Sequence, residues 1–125
     1  MDRTDVETTA KQVIGVAIYV HMQLGPGFPE KIYQRALYLE LKKQGINLER
    51  ESKLEIKWGR ALLGYQIVDF VINTNLLVEI KATSEIIDAH IAQVVSYLKA
   101  ADLKLGLILN FGTPKLSIKR VVNGY

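Results

Sequence analysis

Residues 64–83 read GYQIVDFVINTNLLVEIKAT, and this stretch decides the fold because it combines two strand-like apolar runs with three charged residues. Asp69 lies in the first run, and Glu79 and Lys81 lie in the second. A buried charge destabilises a protein unless it is paired, hydrogen-bonded or bound to a metal. The three charges therefore mark a candidate site inside a β-sheet.

The turn between the two runs sets which residues face each other. The segment Asn73-Thr74-Asn75 separates the runs and is typical of a hairpin loop. If Thr74 is the middle of a three-residue loop, Asp69 lies directly opposite Glu79 and Lys81 shares their face, because strand side chains alternate with period two. Opposed Cβ atoms are roughly 4.5–5.5 Å apart, so two carboxylates there repel each other. This register predicts a site for a divalent cation.

The composition is that of a globular protein with a mild excess of positive charge. The 125 residues are 49% hydrophobic and 23% charged, which predicts a folded chain with one domain over residues 1–125. The formal charge of +3 allows a nucleic-acid partner but does not require one. Because no cysteine is present, disulfides and thiolate metal ligands are excluded.

The polar start and the length of the apolar runs bear on location. The first seven residues, MDRTDVE, are polar and acidic, unlike a secretory signal. No apolar run approaches the roughly 18–20 residues that a membrane-spanning helix needs. We therefore expect no membrane partner and a cytoplasmic location.

Hydrophobic periodicity predicts the element order α-α-β-β-β-α-β-β. The predicted helices cover about residues 4–23, 29–44 and 85–101; the strands cover about 53–58, the two hairpin runs, 103–111 and 116–122. A helix between the third strand and a parallel partner makes a right-handed crossover. The predicted fold class is α/β or α+β, with a small mixed β-sheet flanked by helices.

Two helical blocks place polar side chains where they can reach the hairpin. Glu30 and Tyr33 are three residues apart at the start of the second helix, so they share a face. In the third helix, His90, Gln93 and Tyr97 form a polar stripe beside an apolar one. The apolar stripe comprises Ile87, Ile91, Val94, Leu98 and Ala101. Because this helix follows the second run of the hairpin directly, we expect the polar stripe to lie close to the carboxylates.

Several blocks of the sequence resemble a known family. Residues 27–33, GFPEKIY, match the pattern that names the GxxExxY protein family. Asp69, residues 79–82 (EIKA), 90–98 (HIAQVVSYL) and 106–112 (GLILNFG) are similar to its other blocks. The resemblance covers about residues 10–123. Since this family is grouped with the PD-(D/E)XK nuclease-like superfamily, the resemblance implies a restriction-endonuclease-like αβββαβ core with an extra N-terminal helix.

The resemblance implies roles for five residues. Asp69 is the acidic residue of the second core strand and a metal ligand, and Glu79 is the acidic residue of the (D/E)-x-K motif and a second ligand. Lys81 is the motif lysine, which orients or activates the attacking water and neutralises developing phosphate charge. Glu30 resembles an acidic residue of the preceding helix, and Gln93 lies where many members have a polar residue. The implied cofactor is Mg²⁺ or Mn²⁺, which carboxylate oxygens bind well.

Two positions depart from the family pattern. Val68 precedes Asp69 where the superfamily motif has proline, a change that many active members share. Gln66 stands where a basic residue is expected in many GxxExxY sequences. We expect this neutral side chain to weaken a contact to the substrate.

Several residues also have a purely structural interpretation. Glu30 favours the positive end of its helix without any metal, and Tyr33 packs while its hydroxyl fixes a neighbour. His90 is either a hydrogen-bonded interior histidine or a residue lining the site. His21 is expected as a favourable charge at the C-terminal end of the first helix or as a surface residue. Trp58 is expected in core or edge packing rather than as a platform for nucleic-acid bases.

Three functional hypotheses remain open from the sequence. The first is a metal-dependent nuclease-like hydrolase that cleaves phosphodiester bonds in DNA or RNA, and the presence of Asp69, Glu79 and Lys81 favours it. The alternative is a non-catalytic nucleic-acid- or protein-binding module that retains the nuclease fold, which the small basic surplus favours. The third is a domain that works as a homodimer or with a partner protein, because 125 residues offer little surface to hold a duplex.

Overall fold

The computed structural model describes residues 3–125, which form three helices and one five-stranded sheet in the predicted order. The elements are α1 (Arg3–Leu24), α2 (Glu30–Lys43), β1 (Leu48–Trp58), β2 (Ala61–Ile72), β3 (Leu76–Lys81), α3 (Asp88–Ala101), β4 (Leu105–Asn110) and β5 (Ser117–Val122). The predicted domain over 1–125 includes residues 1 and 2, which lie outside the described part. Within residues 3–125, no helix is long and apolar enough to cross a bilayer.

The sheet is mixed, and its strands lie side by side in chain order. The β1–β2, β2–β3 and β4–β5 pairs are antiparallel, whereas β3 and β4 are parallel. The helix α3 makes the crossover between the parallel strands, as predicted. These features confirm the expected α+β, restriction-endonuclease-like fold.

Helices cover both faces of the sheet and create two separate cores. The larger core joins α1 and α2 to the sheet, and the apolar residues of α1 that face it recur at helical spacing: Val6, Ala10, Val13, Ala17 and Val20. The smaller core joins α3 to the other face, through Val94 and Leu98 against Leu77 and Ile108. Because β3 and β4 are buried on both faces, their sequences are nearly continuous apolar runs.

The connection between α1 and α2 is held by Tyr33. Gly25, with φ +69°, ends α1 in a left-handed conformation that glycine adopts without a Cβ clash. The Tyr33 hydroxyl donates to the Gly25 carbonyl at 2.6 Å and accepts from the Phe28 N–H at 3.1 Å. Its ring stacks on Phe111 with centroids 4.6 Å apart. This arrangement fixes the start of α2, where Glu30 lies.

Three local predictions were wrong. His21 is buried, and its Nε2–H donates to the Thr113 carbonyl at 2.9 Å, because the loop after β4 covers the end of α1. Trp58 is 79% exposed, since it lies at the tip of the β1–β2 hairpin beyond both cores. Ile87 precedes the first residue of α3 and is exposed, so it does not belong to the apolar stripe of that helix.

Candidate functional site

The candidate site lies where β2 and β3 diverge. Their ladder joins residues 70–72 to residues 76–78, with Ile72 opposite Leu76 across the predicted three-residue loop. Beyond it, β2 stays paired with β1 and β3 stays paired with β4. Asp69 and Glu79 are the first residues past the ladder, and its register places them opposite each other. The predicted register is therefore confirmed.

The two carboxylates bridge the strands where the ladder stops. The Asp69 N–H donates to Glu79 Oε1 at 2.9 Å, and the Ile80 N–H donates to Asp69 Oδ2 at 2.7 Å. Each acidic side chain thus accepts a backbone N–H from the opposite strand. These hydrogen bonds fix the two carboxylates in position.

The alternation of β2 is interrupted at Asp69. Val68 packs in the α3 core, whereas Phe70 packs in the core under α1 and α2. Regular alternation would place both side chains on one face. The residue opposite Asp69 in the β1 register is Glu51, whose φ of +53° is left-handed. This irregularity of both strands sets Asp69 apart from the two apolar faces and directs it to the diverging edge.

Gln34 of α2 is the main contact that the sequence did not predict. It is 2% exposed, and its Nε2 donates to Asp69 Oδ1 at 2.6 Å. Gln34 comes one helical turn after Glu30, so the two share the face of α2 that points at the site. That i, i+4 spacing from the motif glutamate is the signal that could have identified it.

The electrostatic environment of Glu79 is unusual for a carboxyl group. Glu79 is 8% exposed, and burial together with the nearby charge of Asp69 raises its pKa from 4.5 to about 7. The Asp69 N–H and the positive charge of Lys81 lower this pKa, and the charge of Glu30 raises it slightly. Burial and repulsion therefore outweigh the stabilising partners present in the protein.

The segment after Lys81 is anchored to the end of β4. The Phe111 N–H donates to the Lys81 carbonyl at 2.8 Å. Asn110 is fully buried; its Oδ1 accepts from the Thr83 N–H and its Nδ2 donates to the Thr83 carbonyl, both at 3.0 Å. The side-chain amide of Asn110 thus takes the place of a backbone amide and extends the β3–β4 pairing past the strand ends. It holds Lys81 in a fixed place relative to Glu79.

Tyr97 of α3 lies within electrostatic range of the two carboxylates. Burial first, and then the charges of Glu79 and Asp69, raise the pKa of Tyr97. Its hydroxyl donates to Gln66 Oε1 at 3.1 Å, which links α3 to β2. A pocket-lining role for Tyr97 stays a prediction.

The other residues of the predicted stripe lie nearer the start of α3. Gln93 is exposed one turn before Tyr97. The Nδ1 of His90 accepts the Ile87 N–H at 3.2 Å, so this ring satisfies a free backbone donor at the start of α3. A catalytic role for Gln93 and a pocket-lining role for His90 stay predictions.

The predicted site residues on β2, β3 and α2 therefore lie in two separate places. Asp69, Glu79 and Lys81 meet at the diverging edge, and Glu30 is near enough to influence the pKa of Glu79. Tyr33 lies at the α1–α2 connection instead, where it supports the start of α2. The ligand and catalytic roles of the first group remain predictions.

The donor set fits a hard divalent cation with several bound waters. Among residues 3–125, no cluster of three or more His, Cys, Asp and Glu side chains is arranged to hold a metal. Two carboxylates are nonetheless a sufficient protein contribution for Mg²⁺, which retains several waters of hydration. Burial first, and then the charge of Asp69, raises the pKa of Glu79, and a bound cation would relieve the repulsion between the two carboxylates.

Comparison with known families and structures agrees with this geometry. A family model described as the PD-(D/E)XK nuclease superfamily matches residues 7–121. The fold and site define a restriction-endonuclease-like protein, and the chain belongs to the PD-(D/E)XK nuclease superfamily.

The fold is also similar to that of a solved structure. The crystal structure of SSO0001 is similar with a TM-score of 0.60 and 20% sequence identity, covering 76% of this chain and 50% of that one. The chain therefore spans about half the length of that protein. Comparison with curated proteins gave no significant match.

Proposed function

We propose that this chain is a nuclease-like hydrolase of the GxxExxY type that cleaves phosphodiester bonds in DNA or RNA with the help of Mg²⁺ or Mn²⁺. The observation that carries the proposal is the opposed pair Asp69–Glu79, bridged by two backbone hydrogen bonds, with Lys81 two residues further along β3. Membership of the PD-(D/E)XK superfamily supports it.

Each residue has a chemical task in this proposal. A bound divalent cation supplies a Lewis acid and lowers the pKa of a coordinated water. Asp69 and Glu79 would hold it, and Gln34 keeps Asp69 in a single orientation. Lys81 brings a positive charge with movable donors to the scissile phosphate. Glu30 lies at the start of α2, where its charge influences the pKa of Glu79, and it would position a water.

Thermal melting tests the metal site directly. A cation that binds the native state raises its stability by about 2.7 kcal/mol at a hundredfold excess over Kd, so Mn²⁺ should raise the Tm of the wild type. Asp69→Asn and Glu79→Gln should abolish this rise, because each removes one ligand. Asp88→Asn, an exposed carboxylate at the start of α3, should respond like the wild type. Absence of a metal-dependent rise in the wild type would contradict the proposal.

Cleavage assays test the activity itself. Single- and double-stranded substrates should be cut in the presence of Mn²⁺, and Lys81→Ala should lower the rate by on the order of 10²-fold, because a preorganised positive charge is lost. Equal cleavage by the wild type and Lys81→Ala would point to a contaminating nuclease. Binding without any cleavage would support the non-catalytic nucleic-acid-binding alternative.

A further inference from the structure

The β1–β2 hairpin extends beyond the sheet as an arm with an apolar surface. This hairpin arm, residues 53–67, lies past the point where β2 leaves β3. Within ten consecutive residues it exposes five large apolar or aromatic side chains: Trp58 (79%), Leu62 (45%), Leu63 (64%), Tyr65 (47%) and Ile67 (54%). The strand register places Leu62, Tyr65 and Ile67 on one face of the arm, whereas Trp58 lies at its tip and starts from the other face. Single exposed apolar residues are ordinary, but such a group indicates a binding surface.

Positive charges accompany these side chains. The hairpin arm carries Lys53, Lys57 and Arg60 against one acidic residue, Glu55, which lies 3.9 Å from Lys57. The Lys53 ammonium lies 3.8 Å from the centroid of the Tyr65 ring. A surface with aromatic rings and an excess of cations is complementary to a polyanion with flat apolar faces.

A groove beside the hairpin arm continues the positive surface. It has a volume of about 620 Å³ and lies between β1 and the last turns of α3. Lys53, Lys57 and Lys99 line it, with Glu55 as the acidic member. The cations therefore follow the arm along its edge as well as its tip.

The hairpin arm is continuous with the candidate site. Ile67, at its base, is two residues before Asp69 on the same strand. A strand of nucleic acid held on the arm would therefore reach the carboxylates without any rearrangement of β2.

We propose that the hairpin arm is a stacking platform for a single-stranded segment of the nucleic-acid substrate, with Tyr65 contacting a base on one face, Trp58 contacting a base where the strand passes over the tip, and the neighbouring cations contacting phosphates. This inference rests on the proposed function, from which it takes the nucleic acid. Bases of a single strand expose their faces to aromatic side chains, whereas those of a duplex are stacked on each other. The competing occupant is the arm of a second copy of the chain, and this association would bring like charges together.

Trp58 provides the probe, because it is the sole tryptophan of the chain. An oligodeoxythymidylate is titrated into Lys81→Ala protein in a metal chelator, so that binding is measured without cleavage. We expect saturable quenching of the tryptophan fluorescence. Raising the salt concentration should weaken the binding.

Variants then locate the binding surface by anisotropy of a labelled oligonucleotide. Trp58→Ala and Tyr65→Ala should each raise Kd by about 5- to 150-fold, the range expected for one lost aromatic–base stack. Arg60→Gln should lower the slope of log K against log salt by about 0.7. Tyr19→Ala is the matched control, since Tyr19 is 51% exposed on α1, away from the hairpin arm. It should bind like the parent protein, and a double strand of the same length should bind more weakly.

The outcomes separate this inference from the proposed function. Binding that is unaffected by Trp58→Ala and Tyr65→Ala, without quenching, would overturn the platform and leave the nuclease proposal intact. Tighter binding of the double strand would do the same. A complete lack of nucleic-acid binding and cleavage would overturn both. Dimers in sedimentation that dissociate with Trp58→Ala would assign the arm to a second copy of the chain instead.

Discussion

At the scale of single residues, the contact between Gln34 and Asp69 matters most. Asp69 accepts the Gln34 amide on one oxygen and the Ile80 N–H on the other, so the orientation of its carboxylate is determined by two elements at once. A buried amide that orients a metal-ligating carboxylate typically affects metal affinity as well as stability. Gln34 is therefore a positioning residue in the proposed site.

Replacement of Gln34 tests that role. We expect Gln34→Ala to cost about 1–3 kcal/mol of stability, because a buried hydrogen bond is lost. It should also weaken Mn²⁺ binding by about 10- to 100-fold. Calorimetric titration and urea unfolding measure the two effects separately. Gln23→Ala, exposed on α1, is the control. A loss of stability with unchanged metal affinity would reduce Gln34 to a packing role.

At the scale of elements, the close contact between the segments that follow β3 and β4 fixes the position of Lys81. Gly112 lies against the 82–83 segment so closely that an added Cβ would come within 2.3 Å of the Thr83 nitrogen and 2.4 Å of its carbonyl oxygen. The buried Asn110 bonds the same Thr83 backbone. Because these contacts are with main-chain atoms, the rotation of a side chain cannot relieve the clash.

Two glycine substitutions should therefore have opposite effects. Gly112→Ala must separate the two segments, and we expect it to cost roughly 3 kcal/mol or more and to displace Lys81. Gly15→Ala is the matched control, because Gly15 lies inside α1 with open space around it. It should stabilise the protein by about 1 kcal/mol through helix propensity. Urea denaturation measures both. An unchanged free energy of unfolding for Gly112→Ala would contradict the close contact between Gly112 and Thr83.

At the scale of the whole molecule, the buried Glu79 couples folding to pH. Its pKa is about 7 in the native protein and near 4.5 when it is unperturbed. Between these values the native protein binds a proton that the unfolded chain has released. The free energy of unfolding should therefore fall as pH rises from about 4.5 to about 7. The stabilising contribution of protonated Glu79 is fully present below about pH 4.5.

The slope can be measured by urea unfolding at about pH 5 and about pH 8 in a metal chelator. The contribution of Glu79 is on the order of 3 kcal/mol, and Glu79→Gln should remove it. Other groups titrate in both proteins, so the comparison between them isolates Glu79. Glu85→Gln, an exposed carboxyl in the β3–α3 loop, should keep the parental slope. Identical slopes for the wild type and Glu79→Gln would show that burial does not perturb this group.

Sequence alone was enough for features that depend on local periodicity. The element order follows from apolar spacing, and the loop at residues 73–75 determined the register that sets Asp69 opposite Glu79. Strand pairing across a short loop is a local property, because loop length limits which residues can meet. The same spacing misplaced Ile87, since a helix start depends on its neighbours as well as on its pattern.

Only the tertiary structure decided what surrounds the carboxylates. Gln34 reaches Asp69 across 35 positions of the chain, and the pKa of Glu79 depends on burial by elements distant in sequence. The exposure of Trp58 follows from where β2 leaves β3, and the burial of His21 from the loop after β4. Desolvation and long-range contacts arise when elements pack together, so no local pattern encodes them. The sequence by itself determined the acidic pair, and packing determined its chemistry.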